Sequence, residues 1–355
     1  KGVKCLLNTS GRKLIQKSGR VTGALLDQSK RNMFIKVHAR RGVILACGDY
    51  SNSYVLKERY LSSDLAKAPG YNPDCQGEGH VMGMEVGART VNMGVFSRPN
   101  VRFVPAPKRL WHELLPNHPL FIKLYAAGSR LLPKRVFMRL ARHILTTRGA
   151  PDDRLYREGA ILVNNQGERF ANELNDPSFP IARQPENQAY IVFDSSLARK
   201  FSAWPYFVST AAGIAYAYVK DYERDVPDII SKGDTLEEAA KIHPRPETLV
   251  QTVKRYNLFV EKGRDEDFSR SPLGEGILNP PFYVMGPAVG YIGVTLGGLD
   301  INTRFQVLDQ SREIIPGLFA GGRNGGGLII KGHGLNLAWA FTSGRLAGKT
   351  AAGSV

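Results

Sequence analysis

Residues 325–348 read GGGLIIKGHGLNLAWAFTSGRLAG and are the strongest indication of the fold. Glycines crowd the first half of this stretch, and an unbroken helix-forming run follows them. A glycine-rich turn before a helix offers free backbone N–H groups at the positive end of the helix dipole, so it favours an electron-rich ligand. In dinucleotide-binding folds this device is the G-x-G-x-x-G turn of the first βα unit. Here it lies near the other end of the sequence. We therefore expect segments far upstream to line the same ligand site.

The composition is that of a globular protein. The chain has 355 residues, of which 43% are apolar and 23% charged, and this length is enough for two domains. No apolar run reaches the roughly 18 residues of a membrane span. Cys5, Cys47 and Cys75 are too widely spaced for a disulfide framework or a zinc site, so we expect no metal and a cytoplasmic location. The first residues, KGVKC, contain neither Met nor a signal peptide and indicate the interior of a longer sequence.

The charge is strongly positive, with a formal net charge of +16. Residues 101–148 contain ten Lys or Arg against one acid, Glu113. Within this segment, residues 131–146 predict a basic amphipathic helix. Such a helix packs on its own domain, lies on an anionic membrane surface or binds nucleic acid. A peripheral membrane contact stays open, whereas no nucleic-acid motif accompanies the charge and we expect no nucleic-acid partner.

The pattern along the chain predicts an interrupted α/β domain. Two strands flank the turn Ser18-Gly19, a buried strand runs over Val43–Ala46, and a glycine turn opens a helix at about Gly79. The middle of the chain holds a helix capped by Asp234 and a longer amphipathic helix that ends at Gly263. From residue 286 onward, β-strand patterns and glycines return.

Several segments resemble, in order, the landmarks of one flavoprotein family. They are GRVTGALL…ARRGVILACGDYSNS (19–53), GEGHVMGMEVGA (77–88), REGAILVNNQGERFANE (157–173), TLGGLDINTRFQVLD (295–309), IPGLFAGGRNGGG (315–327) and GRLAG (344–348). Each is weak alone, but their order and spacing together are specific. Over nearly its whole length, the chain resembles the family of fumarate reductase and succinate dehydrogenase flavoprotein subunits and 3-ketosteroid dehydrogenases.

The resemblance implies an α/β fold with an α+β cap, in which an inserted domain interrupts a split, Rossmann-like FAD-binding domain. Residues 1–98 and 286–355 would form the FAD-binding domain, and residues 99–285 the cap or substrate domain. The family's own N-terminal G-x-G-x-x-G turn is absent from this sequence. The resemblance therefore implies that the chain is the C-terminal two-thirds of a longer protein.

The resemblance also implies FAD as the cofactor, with the stretch at 325–348 beside its isoalloxazine ring. A helix that begins near Leu335 would stabilise the negative charge of the reduced ring. The residues expected to line FAD are Ala46, Cys47, Gly48, Gly79, Gly321, Gly322, Arg323, Gly334, Leu335, Asn336 and Leu337.

The family reaction exchanges hydrogen across a C–C bond next to a carbonyl or carboxylate, with a hydride at one carbon and a proton at the other. At positions where fumarate reductases hold their substrate-binding and catalytic residues, this sequence has Arg98, Tyr156, Val294 and Lys331. The candidate catalytic residues are Tyr156, Lys331, Arg98 and His333. Each has a plainer alternative, which is a packed tyrosine, a solvated cation or an exposed loop histidine.

Three functions follow from these residues. The loss of carboxylate-binding positions and the apolar surroundings favour a 3-ketosteroid dehydrogenase-like enzyme that acts on an apolar ketone. The alternatives are a fumarate reductase-like reductase of another unsaturated acid and a non-catalytic flavoprotein remnant with a basic binding surface. In the first two, the partner is a small-molecule substrate, and the sequence does not identify the electron acceptor.

Overall fold

The computed structural model describes residues 2–28, 30, 32–104, 116, 118–131, 133, 136, 138, 142, 145, 146, 149–211, 215–329 and 332–353. The strands are, in chain order, β1 (Ser10–Lys17), β2 (Arg20–Gln28), β3 (Met33–His38), β4 (Val43–Leu45), β5 (Thr90–Val91), β6 (Asn100–Phe103), β7 (Ile161–Val163), β8 (Gln188–Phe193), β9 (Ser209–Ala211), β10 (Ala215–Ala217), β11 (Ile230–Gly233), β12 (Phe282–Tyr291), β13 (Gly298–Leu299), β14 (Gln306–Leu308) and β15 (Ile314–Ala320). The helices are α1 (Tyr54–Tyr60), α2 (Ser63–Lys67), α3 (Glu78–Glu85), α4 (Pro119–Leu131), α5 (Arg154–Arg157), α6 (Ser178–Arg183), α7 (Ser195–Lys200), α8 (Val219–Asp225), α9 (Leu236–Ala239), α10 (Pro246–Lys262) and α11 (His333–Ala352).

The chain divides into two compact units, Lys1–Arg98 with Ile292–Val355 and Pro99–Tyr291. In the first unit, β1, β2 and β3 form an antiparallel sheet, while β4, β15 and β14 form a mixed sheet in which β4 is parallel and β14 antiparallel to β15. The turn between β1 and β2 has φ angles of 47° at Ser18 and 77° at Gly19. Two consecutive positive φ angles match the twist of a tight hairpin, which confirms the hairpin predicted there.

Strand β4 lies parallel to β15, with Leu45 opposite Ala320. Leu45 packs among buried residues of the first unit, including Leu318 and Val307, which confirms a strand at this position. Ile44, however, is 37% exposed. Successive side chains of a strand point to opposite faces, and only the Leu45 face meets the described core. The expectation that the whole strand is buried is therefore wrong.

The second unit is built on a five-stranded antiparallel sheet. Strand β12 pairs with β8 along one edge. Its other edge pairs with β11 through residues 282–285 and with β6 through residues 288–291. Alternate residues of β8 belong to different apolar clusters, since Ile191 and Phe193 lie in one and Tyr190 and Val192 in the other. Both faces of this sheet are therefore covered.

Helix α10 covers one face of that sheet through its predicted apolar stripe. Its buried residues are Leu249, Val250, Val253, Tyr256 and Phe259, and Gly263 ends it with a φ of 68°. Both features confirm the sequence prediction, although Leu258 is exposed. The predicted cap of α9 is wrong by one residue. Thr235, not Asp234, accepts a hydrogen bond from the Glu238 N–H, at 3.2 Å, because the hydroxyl lies three residues before that donor.

A buried ionic cluster joins distant segments of the second unit. Arg169 contacts Glu173 at 2.9 Å and Asp265 at 3.0 Å, and Arg270 contacts Glu173 at 3.1 Å. Arg270 also donates to the backbone carbonyls of Tyr156 and Ala160. Since all these charges are buried and paired, the cluster defines how the segments around them pack.

The predicted basic helix at residues 131–146 lies mostly outside the described residues. Helix α4, which precedes it, is described and belongs to the second unit. Among the described residues, no helix has both the length and the apolar character needed to cross a membrane.

Candidate functional site

Three glycine-rich segments of the first unit meet at the side chain of Asn324. Asn324 is fully buried, and its Oδ1 accepts a hydrogen bond from the Cys47 N–H at the end of β4. Its Nδ2 lies 3.2 Å from Nδ1 of His80 in helix α3. A single amide thus connects the segments 46–48, 77–80 and 321–324. Asn324 lies 277 residues after Cys47 and 244 residues after His80 in the chain.

His80 is the inner partner of this amide. It is fully buried, and its Nε2 lies 3.2 Å from the Gly297 carbonyl oxygen. Because that oxygen only accepts, Nε2 carries the proton and Nδ1 accepts from Asn324. Burial lowers the pKa of His80, so the neutral ring with this proton arrangement is the stable form.

Gly79 leaves the room that Asn324 occupies. A Cβ added to Gly79 would lie 2.5 Å from Asn324 Nδ2, which is closer than non-bonded atoms approach. A glycine is therefore required at the beginning of α3. This confirms the helix predicted near Gly79 and gives a physical reason for the glycine.

A second set of hydrogen bonds holds the end of β4 against residues 294–297. The Asp49 carboxylate accepts from the Ser51 N–H at 2.9 Å and from the Thr295 N–H at 3.2 Å. Thr295 Oγ1 accepts in turn from the Tyr50 N–H. Val294, next to the anchored Thr295, is half-buried, and its N–H donates to Ser97 Oγ at 3.1 Å.

The loop after β15 is clamped to helix α11. The Gly322 N–H donates to Ser343 Oγ, and Trp339 Nε1 donates to the Gly322 carbonyl, each at 2.8 Å. Arg323 donates to Asn336 Oδ1, and burial lowers the pKa of its guanidinium. These contacts bring the loop 321–323 to the first turns of the helix.

All the residues expected to line FAD lie in the first unit, on the segments that these hydrogen bonds connect. In the same part of the chain, the apolar side chains of Leu328, Ile329, Leu335 and Leu337 are exposed. Added Cβ atoms at Gly322, Gly332 and Gly334 would meet only open space. An apolar surface, backbone free of side chains and a helix N-terminus together fit a flat ring with an electron-rich edge.

The four candidate catalytic residues lie in different settings. Arg98 is exposed at the end of the first segment of its unit. His333 begins α11, but its side chain and all of Lys331 lie outside the described residues. Tyr156 belongs to the second unit and is almost completely buried in an apolar cluster. Its hydroxyl has no partner among the described residues, and burial raises its pKa.

Sequence reasoning missed Asn324, His80, Asp49 and Thr295. Asn324 follows the glycine pair of the loop, and His80 follows the glycine of the helical turn. Polar residues adjacent to such glycines were the only available signal. Their partners could not be read from a single sequence, because nothing local indicates which distant group a polar side chain meets.

Glycine-lined strand ends, an open apolar surface and a helix N-terminus define a protein that binds a flat redox cofactor. The profile of the FAD-binding domain family matches residues 1–100 and 130–328 of this chain, and residues 101–129 and 329–355 lie outside the match. The chain belongs to this family, and FAD is its cofactor.

Known proteins support this assignment. A probable fumarate reductase of Shewanella frigidimarina is 29% identical over 361 residues, which cover 99% of this chain and 50% of that protein. The open conformation of a flavocytochrome c3 fumarate reductase aligns with a TM-score of 0.67 and 26% identity, covering 99% of this chain and 53% of its own. The chain thus spans about half the length of these proteins.

A 3-ketosteroid Δ1-dehydrogenase from Sterolibacterium denitrificans aligns with a TM-score of 0.56 and 23% identity, over 98% of this chain and 60% of its own. At this identity, the likeness concerns the fold alone. It agrees with the α/β architecture predicted from the sequence.

Proposed function

We propose that this chain serves an FAD-dependent reductase of a C=C bond conjugated to a carboxylate. The observation that carries the proposal is the alignment of nearly the whole chain with a probable fumarate reductase. Reduction adds a hydride to one carbon of the double bond and a proton to the other, so the product is the saturated acid. In this scheme, the first unit holds the cofactor and the second unit acts as the cap.

The residues of the first unit have defined tasks in this scheme. FAD supplies the hydride chemistry when bound. Asn324 holds the end of β4 and the start of α3 in place through Cys47 and His80. The first N–H groups of α11 have no partner within the helix and would stabilise negative charge on the reduced cofactor.

The substrate we propose carries one carboxylate. Arg98 and Lys331 keep a positive charge at two positions where the family resemblance implies substrate contacts. Val294 removes a third polar group there, and its half-buried isopropyl group cannot donate a hydrogen bond. A site that has these two cations but no hydrogen-bond donor at position 294 suits a monocarboxylate better than the two carboxylates of fumarate.

A ketone is the second candidate, because Val294 and the exposed Leu328 and Ile329 form apolar surroundings. Tyr156 would then polarise the carbonyl group. Its burial in an apolar cluster supports a packing role instead, so the unsaturated acid takes precedence.

The test uses the purified full-length protein with its flavin reduced under anaerobic conditions. We expect crotonate to reoxidise the flavin faster than fumarate does, and an unsaturated 3-ketosteroid to leave it reduced. Lys331→Ala should slow reoxidation by about a hundredfold, because a substrate carboxylate loses its charged partner. Lys349→Ala, at the other end of α11, is the matched control and should leave the rate unchanged.

Two results would overturn the proposal. A colourless protein that takes up no FAD would favour the non-catalytic alternative. If only the ketosteroid reoxidised the flavin, and Tyr156→Phe abolished this reaction, the substrate would be a ketone.

A further inference from the structure

We propose that helix α4 is a docking surface for an anionic lipid membrane. The first observation is the exposure of the apolar residues of this helix. Leu120 is 71% exposed, Leu124 64% and Ile122 53%, and Phe121 and Tyr125 are exposed as well. A run of five exposed large apolar side chains is unusual on a globular protein and marks an interaction surface.

These side chains are arranged by the helical repeat. Leu120 and Leu124 are four residues apart, as are Phe121 and Tyr125, so the two pairs lie side by side along one face. The rings of Phe121 and Tyr125 stack with centroids 6.3 Å apart. Lys123 lies three residues after Leu120 and borders this face. An aromatic and leucine face bordered by a cation is typical of a helix that lies in the plane of a membrane interface.

The surrounding sequence supplies the charge that such a surface needs. Residues 101–148 carry ten Lys or Arg and one acid. Each cation near an anionic leaflet adds to the free energy of membrane binding. A cluster of cations attracts the leaflet over about a Debye length. The apolar face of α4 and the basic segment are therefore complementary to the two layers of one partner, the acyl boundary and the anionic headgroups.

The charge also decides among possible partners. A nucleic acid would use the cations but would leave the leucines exposed to water. A second copy of the chain would bring the same ten cations against each other, and like charges oppose that contact. An anionic membrane satisfies both features.

The experiment is co-sedimentation of the full-length holoprotein with vesicles of phosphatidylcholine, with or without phosphatidylserine. We expect binding only when phosphatidylserine is present, and weaker binding at high salt. Leu124→Glu should lower the partition coefficient by about tenfold or more, since it removes one inserted leucine and adds a repelled charge. Leu258→Glu, at a similarly exposed leucine of α10, is the matched control and should bind as the wild type does.

Flavin content and the unfolding midpoint, measured on each variant, establish that the protein remains folded. Equal binding to both kinds of vesicle, or equal loss in Leu258→Glu, would contradict the proposal. So would the absence of vesicle binding together with a dimer in light scattering that Leu124→Glu dissociates, because the face would then bind a second copy.

Discussion

At the scale of single residues, Asn324 is the side chain on which the cofactor side of the first unit depends. Its buried amide satisfies the Cys47 N–H at the end of β4 and Nδ1 of the buried His80 at the same time. A buried donor or acceptor that loses its partner costs more than the bond itself contributes. The glycines that surround this amide therefore matter because of the space they leave for it.

We predict that Asn324→Ala lowers the free energy of unfolding by about 2–4 kcal/mol, because the buried Nδ1 of His80 and the partly buried Cys47 N–H lose their partner. It should also lower the FAD content of the purified protein, since the ends of β4 and α3 are no longer held. Urea unfolding and the flavin absorbance measure the two effects. Asn175→Ala, at an exposed asparagine, is the control and should stay within about 0.5 kcal/mol of the wild type. Equal losses in both variants would contradict the role given to Asn324.

At the scale of elements, helix α11 and the loop before it act as one piece. Trp339 and Ser343, one turn apart on the helix, bond the two backbone groups of Gly322. Trp339 also packs on Phe305, with ring centroids 5.8 Å apart. Because Gly322 is held at both its N–H and its carbonyl, the loop after β15 has a fixed position relative to α11.

Trp339→Phe tests this clamp. It keeps most of the aromatic contact and removes the hydrogen bond to Gly322, so we expect a loss of about 1 kcal/mol in unfolding free energy. FAD affinity should fall several-fold, because the loop at 321–323 becomes looser. Isothermal titration of the apoprotein with FAD gives the affinity. Trp204→Phe changes an exposed tryptophan of the second unit, and we expect no change in either quantity. An unaltered FAD affinity in Trp339→Phe would show that the loop does not need this bond.

At the scale of the whole molecule, charge has two unrelated uses. The sequence carries a formal net charge of +16, and pairs such as Arg255 with Asp267 lie at the surface. In the second unit, four charges are instead buried as the cluster of Arg169, Glu173, Asp265 and Arg270. Removing one member of such a cluster leaves the others uncompensated in the interior.

We expect Asp265→Asn to lower the unfolding free energy of the protein by about 3–5 kcal/mol. Asp267→Asn breaks only the exposed pair with Arg255 and should cost at most about 1 kcal/mol. Both are measured by urea unfolding at neutral pH. Comparable losses of unfolding free energy in the two variants would mean that burial does not increase the contribution of the cluster to stability.

The pH dependence of this contribution has a definite sign. Although burial opposes it, hydrogen bonding to Arg169 holds the pKa of Asp265 below its ordinary value of 3.8. The unfolded chain then takes up a proton first as the pH falls, so stability is lost. The contribution of Asp265 is complete above about pH 4 and disappears as the pH drops through the lower folded pKa. The difference between the wild type and Asp265→Asn should therefore shrink in acid.

Much of the fold could be predicted from local sequence. The hairpin at Ser18-Gly19, the helix at Gly79 and the helix that ends at Gly263 are determined by residues close to each other in the chain. Errors arose where the neighbourhood in space decides, as at Ile44, whose face of the strand has no described core against it. The candidate catalytic positions stay predictions, since they came from the resemblance and no contact of the structure tests them.

By itself, the sequence determined the elements, the family and FAD, because turns, periodicity and ordered motifs are written over short spans of chain. Only the tertiary structure decided that Asn324 meets Cys47 and His80. Those contacts span 277 and 244 residues, and a polar side chain carries no mark of its distant partner. Which buried donor faces which acceptor is settled by the packing of the whole unit, because every buried polar group must find a partner there.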